Sequence, residues 1–192
     1  MKTALAVLAV SALAMAAFAA DDRPLGIVHF GIKGDYIAFT DSALKDAKLD
    51  QGGLGGAELY FGLVKGLYIG AESGVAYSQG SGTVLGASVD NKLIYVPVEL
   101  NAKYMLALTP WLVLDVGGGG CYSYGRLEAT LEGESEVATD WMPGGQAFAD
   151  LNVILGPLYV GVDGKYQALA KFKDSDVNMN NWRVGAHLGI DI

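Results

Sequence analysis

The chain has 192 residues, 52% of them hydrophobic, with 27 glycines, one cysteine and a formal net charge of −8 at pH 7. That length fits one domain, the acidic balance argues against nucleic acid as a partner, and a lone Cys121 excludes an internal disulfide framework. So many apolar residues together with so much glycine are unusual in a soluble globule.

The N-terminal stretch accounts for part of the apolar excess. Met1-Lys2 is a short basic start, Ala4 to Phe18 is an apolar run, and Ala17-Phe18-Ala19 has the small-x-small pattern of a signal-peptidase site. Residues 1–20 are therefore expected to be a cleaved signal peptide that directs export through the Sec pathway, leaving 21–192 as the mature domain. Cleavage removes Lys2 and no acid, so the mature chain is one unit more negative. No cysteine follows the expected cleavage point, so no lipoprotein anchor is indicated. No later segment reads as a spanning helix, which needs roughly 20 apolar residues; the best candidate, Ala147 to Val162, is interrupted by Asp150, Asn152 and Gly156-Pro157. A membrane protein made of strands, or a soluble β-protein, remains.

Successive side chains on a strand point to opposite faces, so alternation with period two marks strands. Eight such segments appear. Leu25–Ala38 sets Val28, Phe30, Ile32 and Tyr36 against His29, Gly31, Lys33 and Asp35, and a polar loop runs from Phe39 to Gly55. Gly56–Val64 and Leu67–Ser78 follow, joined by a tight turn at Lys65-Gly66, and Gln79 to Asn91 reads as a second long polar loop. Lys92–Leu106 alternates clearly, with Ile94, Val96, Val98, Leu100, Ala102 and Tyr104 opposite Tyr95, Pro97, Glu99, Asn101 and Lys103. Pro97 cannot donate to a ladder, which predicts a bulge or an accommodated gap. After a short connection, Trp111–Glu128 contains four consecutive glycines, Gly117 to Gly120, expected to mark a bend. An acidic loop extends to Pro143, and Gly144–Leu155 follows, with Phe148 and Ile154 breaking its pattern. Gly156-Pro157 turns the chain into Leu158–Ala170, and a last polar loop, Lys171 to Asn180, leads to Asn181–Ile192. In that final segment Trp182, Val184, Ala186, Leu188, Ile190 and Ile192 alternate with Arg183, Gly185, His187, Gly189 and Asp191.

The connections alternate long and short, which puts every short turn on one side and every long loop on the other, as in outer-membrane barrels. Alternation by itself leaves two arrangements: the apolar set outward in lipid, or inward as a soluble, lipocalin-like barrel that binds an apolar ligand. The glycines favour the first. Gly31, Gly62, Gly70, Gly74, Gly117, Gly119, Gly161, Gly185 and Gly189 share the polar set with isolated charges, which suits a cramped eight-stranded interior. Tyr36, Tyr77, Tyr122, Tyr124, Tyr166 and Trp182 collect on the apolar set towards the long loops, and Tyr104 towards the short turns. This is the expected lipid-facing girdle. Backbone groups find no water in hydrocarbon, so the last strand must pair with the first.

Phe30-Gly31-Ile32-Lys33-Gly34-Asp35-Tyr36, Ile94-Tyr95-Val96-Pro97-Val98-Glu99-Leu100 and the closing alternation to Ile192 give the mature chain a form that resembles the eight-stranded outer-membrane β-barrel family of OmpA-like and OmpX-like proteins. The resemblance implies an all-β, antiparallel, up-and-down transmembrane barrel with short periplasmic turns and longer extracellular loops. It also implies residence in the outer membrane, contact with its lipid and lipopolysaccharide, and handling by the barrel-assembly machinery. Members usually end in an aromatic residue read by that machinery, whereas Ile192 is apolar without a ring. No peptidoglycan-binding domain is expected after the barrel.

By face, the interior is expected to hold Lys33, Lys103, Lys165 and Arg183 with Asp35, Glu58, Glu72, Glu99, Asp115, Asp150, Asp163 and Asp191. Buried charges must find partners, so a paired plug is the leading reading; a small, gated, cation-leaning pore is the alternative, since acids outnumber bases. His29 and His187 fall on strands that closure makes neighbours, yet two histidines without tight ligand spacing are a poor metal signal. Some small outer-membrane barrels act on lipids through a serine–histidine pair, but here neither histidine has a serine two residues on, and no catalytic set can be named. Cys121 reads as a small interior space-filler. The acidic loops around Asp41 to Asp50, Glu132 to Asp140 and Asp174 to Asp176 are candidates for surface contact. The expectation is a monomeric, non-enzymatic envelope barrel with no cofactor and no metal.

Overall fold

The structure, a computed structural model, describes residues 27–84, 87–131, 134–173 and 176–192. The expected signal peptide and the first residues of the first predicted strand, Leu25 and Gly26, lie outside these. Eight strands follow in chain order: β1 (Val28–Phe39), β2 (Gln51–Val64), β3 (Leu67–Val84), β4 (Ala87–Ala107), β5 (Leu112–Leu131), β6 (Glu134–Leu155), β7 (Leu158–Leu169) and β8 (Asn181–Asp191). One short helix, α1 (Ser42–Asp46), follows β1. Every strand runs antiparallel to its neighbours and the sheet closes as a barrel. The seam pairs His29 with Asp191 at one end and Phe39 with Asn181 at the other. Beyond it, Val28 and Ile192 exchange N–H···O bonds of 2.9 Å, so the ladder has no open edge.

The tight turns need glycine where the backbone enters the left-handed region: Gly66 has φ 77° and Gly156 has φ 69°. Along each strand the apolar set faces out. Val98, Leu100, Leu151, Val160 and Leu188 are exposed, while Lys103 and Asp150 are buried. A soluble carrier requires the reverse, so that reading is excluded.

Two predicted loops are strand instead. β3 and β4 stay paired to Val84–Ala87, and β5 and β6 to Leu131–Glu134, so the described residues of segments 79–91 and 129–143 continue the two ladders as tall hairpins. Once a hairpin clears the apolar band both of its faces meet water, and the contrast that alternation detects disappears while the backbone ladder continues. The first loop also differs. β2 already begins at Gln51, and α1 is capped by the Asp41 side chain, which accepts from the Ala43 N–H at 2.8 Å. The helix stops at Lys48, with φ 56°, and the Leu49 N–H returns to the Leu44 carbonyl at 2.7 Å. Both leucines are thereby buried.

At Pro97 the β3–β4 register is the same on either side, Ser73 opposite Val98 and Ala76 opposite Tyr95, with the ladder interrupted between them. Ser73 Oγ donates to the Pro97 carbonyl at 2.9 Å, so the proline is a gap in the ladder and not a bulge. Gly117 to Gly120 pair with β4 and β6 without any shift of register, so the glycine run interrupts neither ladder. A single arginine on the outward face tests the orientation: Leu188→Arg is expected to destabilise, by up to the about 2–4 kcal/mol that such a residue costs at the bilayer midplane, read as the fall in urea unfolding free energy from lipid vesicles.

Candidate functional site

The interior is built in three layers. Nearest the long loops lies an apolar cluster that includes Ile37, Phe39, Leu44, Leu54, Leu93, Tyr95, Met142 and Phe172. Cys121 belongs to it as a buried free thiol. Next to the short turns, Tyr60, Tyr68, Met105, Val113 and Phe148 form a second cluster. Between them lie the charges.

Glu72 on β3 is the hub of the charged layer. It accepts from Lys165 Nζ at 2.6 Å, Lys33 Nζ at 3.2 Å, Asn101 Nδ2 at 2.9 Å and the Tyr60 hydroxyl at 2.5 Å. Lys165 also donates to Glu99 at 2.6 Å, and Glu99 in turn receives Arg183 and Gln167. Lys33 lies 3.9 Å from Glu58 and 3.8 Å from Asp163. Towards the short turns, Lys103 pairs with Asp115 at 2.9 Å, and Asn152 donates to the same carboxylate at 3.1 Å. Every strand contributes: Lys33 from β1, Glu58 from β2, Glu72 from β3, Glu99 and Lys103 from β4, Asp115 from β5, Asn152 from β6, Asp163 and Lys165 from β7, and Arg183 from β8.

The ten side chains singled out for this layer, Lys33, Glu58, Glu72, Glu99, Lys103, Asp115, Asp150, Asp163, Lys165 and Arg183, are all buried. Asp150 and Asp35 are buried without an ion-pair partner among the described residues, and both Asp35 oxygens lack a hydrogen bond. Uncharged side chains that charge patterning does not mark complete the net: Asn101, Gln146, Asn152, Tyr159 and Gln167 are buried and hydrogen-bonded within it, and Tyr60 and Tyr95 reach into it from the two apolar clusters through their hydroxyls. All of them occupy the inward-facing set, and that position was the available signal.

Phe148 broke the apolar pattern of its strand because it points inward, with its ring beneath Lys165 Nζ at 4.9 Å. The interior glycines make room for such rings. A Cβ at Gly70 would come 2.5 Å from Tyr60 Cδ1, and one at Gly117 or Gly189 would overlap the rings of Phe148 or Tyr159.

The histidines do not form a pair. His29 Nε2 lies 3.5 Å from Asp191, whereas His187 is held by Asp163 at 3.3 Å and Asn152 at 2.5 Å. The Tyr159 ring stands between them, with centroids 6.1 Å and 5.8 Å away. Among the described residues no group of three or more histidine, cysteine, aspartate or glutamate side chains is placed to hold a metal.

On the outer wall Tyr36, Tyr77, Tyr122 and Trp182 are exposed, and Tyr104 and Tyr166 are half-buried. Tyr166 packs on Trp182 at 4.5 Å, and Trp141, in a segment whose sequence pattern reads as a loop, stacks on Tyr122 at 5.1 Å.

The profile of a family described as "Outer membrane protein beta-barrel domain" matches residues 5–144. No curated protein sequence matches the chain. Among solved structures, the Neisserial surface protein A is similar with a TM-score of 0.64 at 11% identity, over 88% of this chain and 100% of that one. Ail, the attachment invasion locus protein of Yersinia pestis, is similar with a TM-score of 0.54 at 16% identity, over 87% and 100%. The N-terminal β-barrel domain of Pseudomonas aeruginosa OprF is similar with 0.51 at 14%, over 85% and 97%. At such identities the likeness concerns the fold alone.

Removing one member of a buried charge pair leaves the other uncompensated, at a cost of about 3–5 kcal/mol. Glu99→Gln, which strands Arg183 and leaves Lys165 with Glu72 alone, is therefore expected to destabilise by that order in vesicle unfolding. Asp35→Asn removes a carboxylate with no hydrogen bond and is expected to be neutral or stabilising in the same measurement.

Proposed function

Because the chain belongs to the outer-membrane β-barrel family, which lies in the outer membrane, we propose that it is a non-conducting, non-enzymatic envelope barrel whose surface contacts are made by its long-loop end. One observation carries this reading: a continuous net of ion pairs and hydrogen bonds crosses the interior from all eight strands, beneath an apolar cap. Eight strands enclose a space that side chains can fill, and here the groups at mid-height bond to one another instead of lining a water column. The non-enzymatic part is supported by the engagement of both His187 nitrogens, with Asp163 and Asn152, and by the pairing of His29 with Asp191.

In this role the chain is exported by the Sec pathway, folded by the barrel-assembly machinery and held as a monomer in outer-membrane lipid and lipopolysaccharide. Tyr36, Tyr77, Tyr104, Tyr122, Tyr166 and Trp182 sit at the lipid–water boundaries, where an apolar ring with a polar tip is favoured. The second reading, a gated cation-leaning pore, draws on Asp35 and Asp150, the interior acids outside the ion pairs. Single-channel recording of the purified chain in planar bilayers separates the two. The expected trace is flat, and steady openings on the order of a nanosiemens would replace the plug with the pore.

A further inference from the structure

Water surrounds the long-loop end, yet an apolar cleft of about 530 Å³ opens there between α1, the β5–β6 hairpin and the last loop. The volume falls within the roughly 300–1,000 Å³ usual for small-molecule sites. Leu44, Ala47, Leu127, Ala138 and Val177 line it, and its floor is continuous with the apolar cap of the interior, against which Ala47, Leu127 and Val177 pack. A loop end that served only to be hydrated would present polar side chains here; a recessed apolar surface in water marks a place for a ligand.

The charges around the cleft define what kind. Two carboxylates, Glu128 and Glu136, belong to its wall and no basic residue does. Glu128 is already engaged, accepting from Arg126 at 3.1 Å with Lys92 at 4.0 Å. Glu136 is exposed on the hairpin and forms no ion pair among the described residues. Asn91, also in the wall, donates through Nδ2 to the Ala47 carbonyl at 3.2 Å, which leaves its amide oxygen as an acceptor. The cleft therefore offers an apolar floor with acceptors at its edge, complementary to an alkyl chain that ends in a group with several N–H donors and a positive charge.

We propose that the cleft binds a primary alkylammonium amphiphile, with the chain on Leu44, Leu127 and Val177 and the ammonium group at Glu136 and Asn91. This rests on the reading of the long-loop end as the contact surface and names the chemistry it takes.

The test uses the full chain in lipid nanodiscs, titrated calorimetrically with decylammonium, decanoate and decyl maltoside, each against discs without protein. Decylammonium is expected to bind in a protein-dependent manner at least tenfold more tightly than decanoate. Ala138→Trp fills the cleft from an exposed position and is expected to abolish binding. Glu136→Lys, also exposed, reverses the order of decylammonium and decanoate. A heat-induced shift in gel mobility shared by both variants establishes that they are folded. Heats equal to those of empty discs, equal binding by Ala138→Trp, or decanoate binding as tightly as decylammonium would overturn the proposal. Bilayer conductance does not sense the cleft, so a closed barrel that takes up no amine loses the ligand and keeps the envelope reading.

Discussion

In hydrocarbon an unpaired strand edge leaves N–H and C=O groups with nothing to bond, each at a cost of several kcal/mol. The β1–β8 seam, running from His29–Asp191 to Phe39–Asn181, removes that edge. Closure with eight strands then fixes the girth, and the girth fixes what can stand inside. There is space for side chains and little else, so each inward residue must fit among those from the other strands. Glycine beneath aromatic rings, at Gly70 under Tyr60 and Gly117 under Phe148, is one consequence.

Charges in the middle of such a space are costly to desolvate, and a well-packed apolar replacement is often as stable or more so. What the polar interior supplies is contrast. A slip of one residue between strands exchanges the two faces, and in a barrel greasy on both sides that exchange would carry little penalty. Here it would push Lys165, Glu99 and Arg183 into the apolar surroundings and bring Val98, Val162 and Val184 inside. The same ion pairs that cross the interior thus favour one register over its neighbours.

The parts of the fold that could be read from the chain are those where two solvents differ across the wall. All eight strands were visible, as was the sidedness of Lys33, Glu72, Glu99 and Lys165, because lipid outside and a polar interior impose opposite demands on adjacent residues. Above the aromatic belt that difference ends. The upper halves of the β3–β4 and β5–β6 hairpins then resembled loops, and Trp141 was missed as a partner of Tyr122. The helix α1 was hidden for another reason: five residues are too few to show a period. Its Asp41 cap was nevertheless in the sequence, three residues before Leu44. The cleft was not readable at all, since it depends on α1, β5, β6 and Val177 meeting in space.

The extended hairpins also give the rim an uneven height. From Tyr124 to Leu131 the β5 strand continues for roughly 20–25 Å along its length at the usual rise per residue, whereas β7 and β8 end near Leu169 and Asn181 and β1 ends at Phe39. One flank is a tall parapet and the opposite flank a low sill. A ligand of the proposed cleft would thus come in over the sill and rest against the inner side of the parapet.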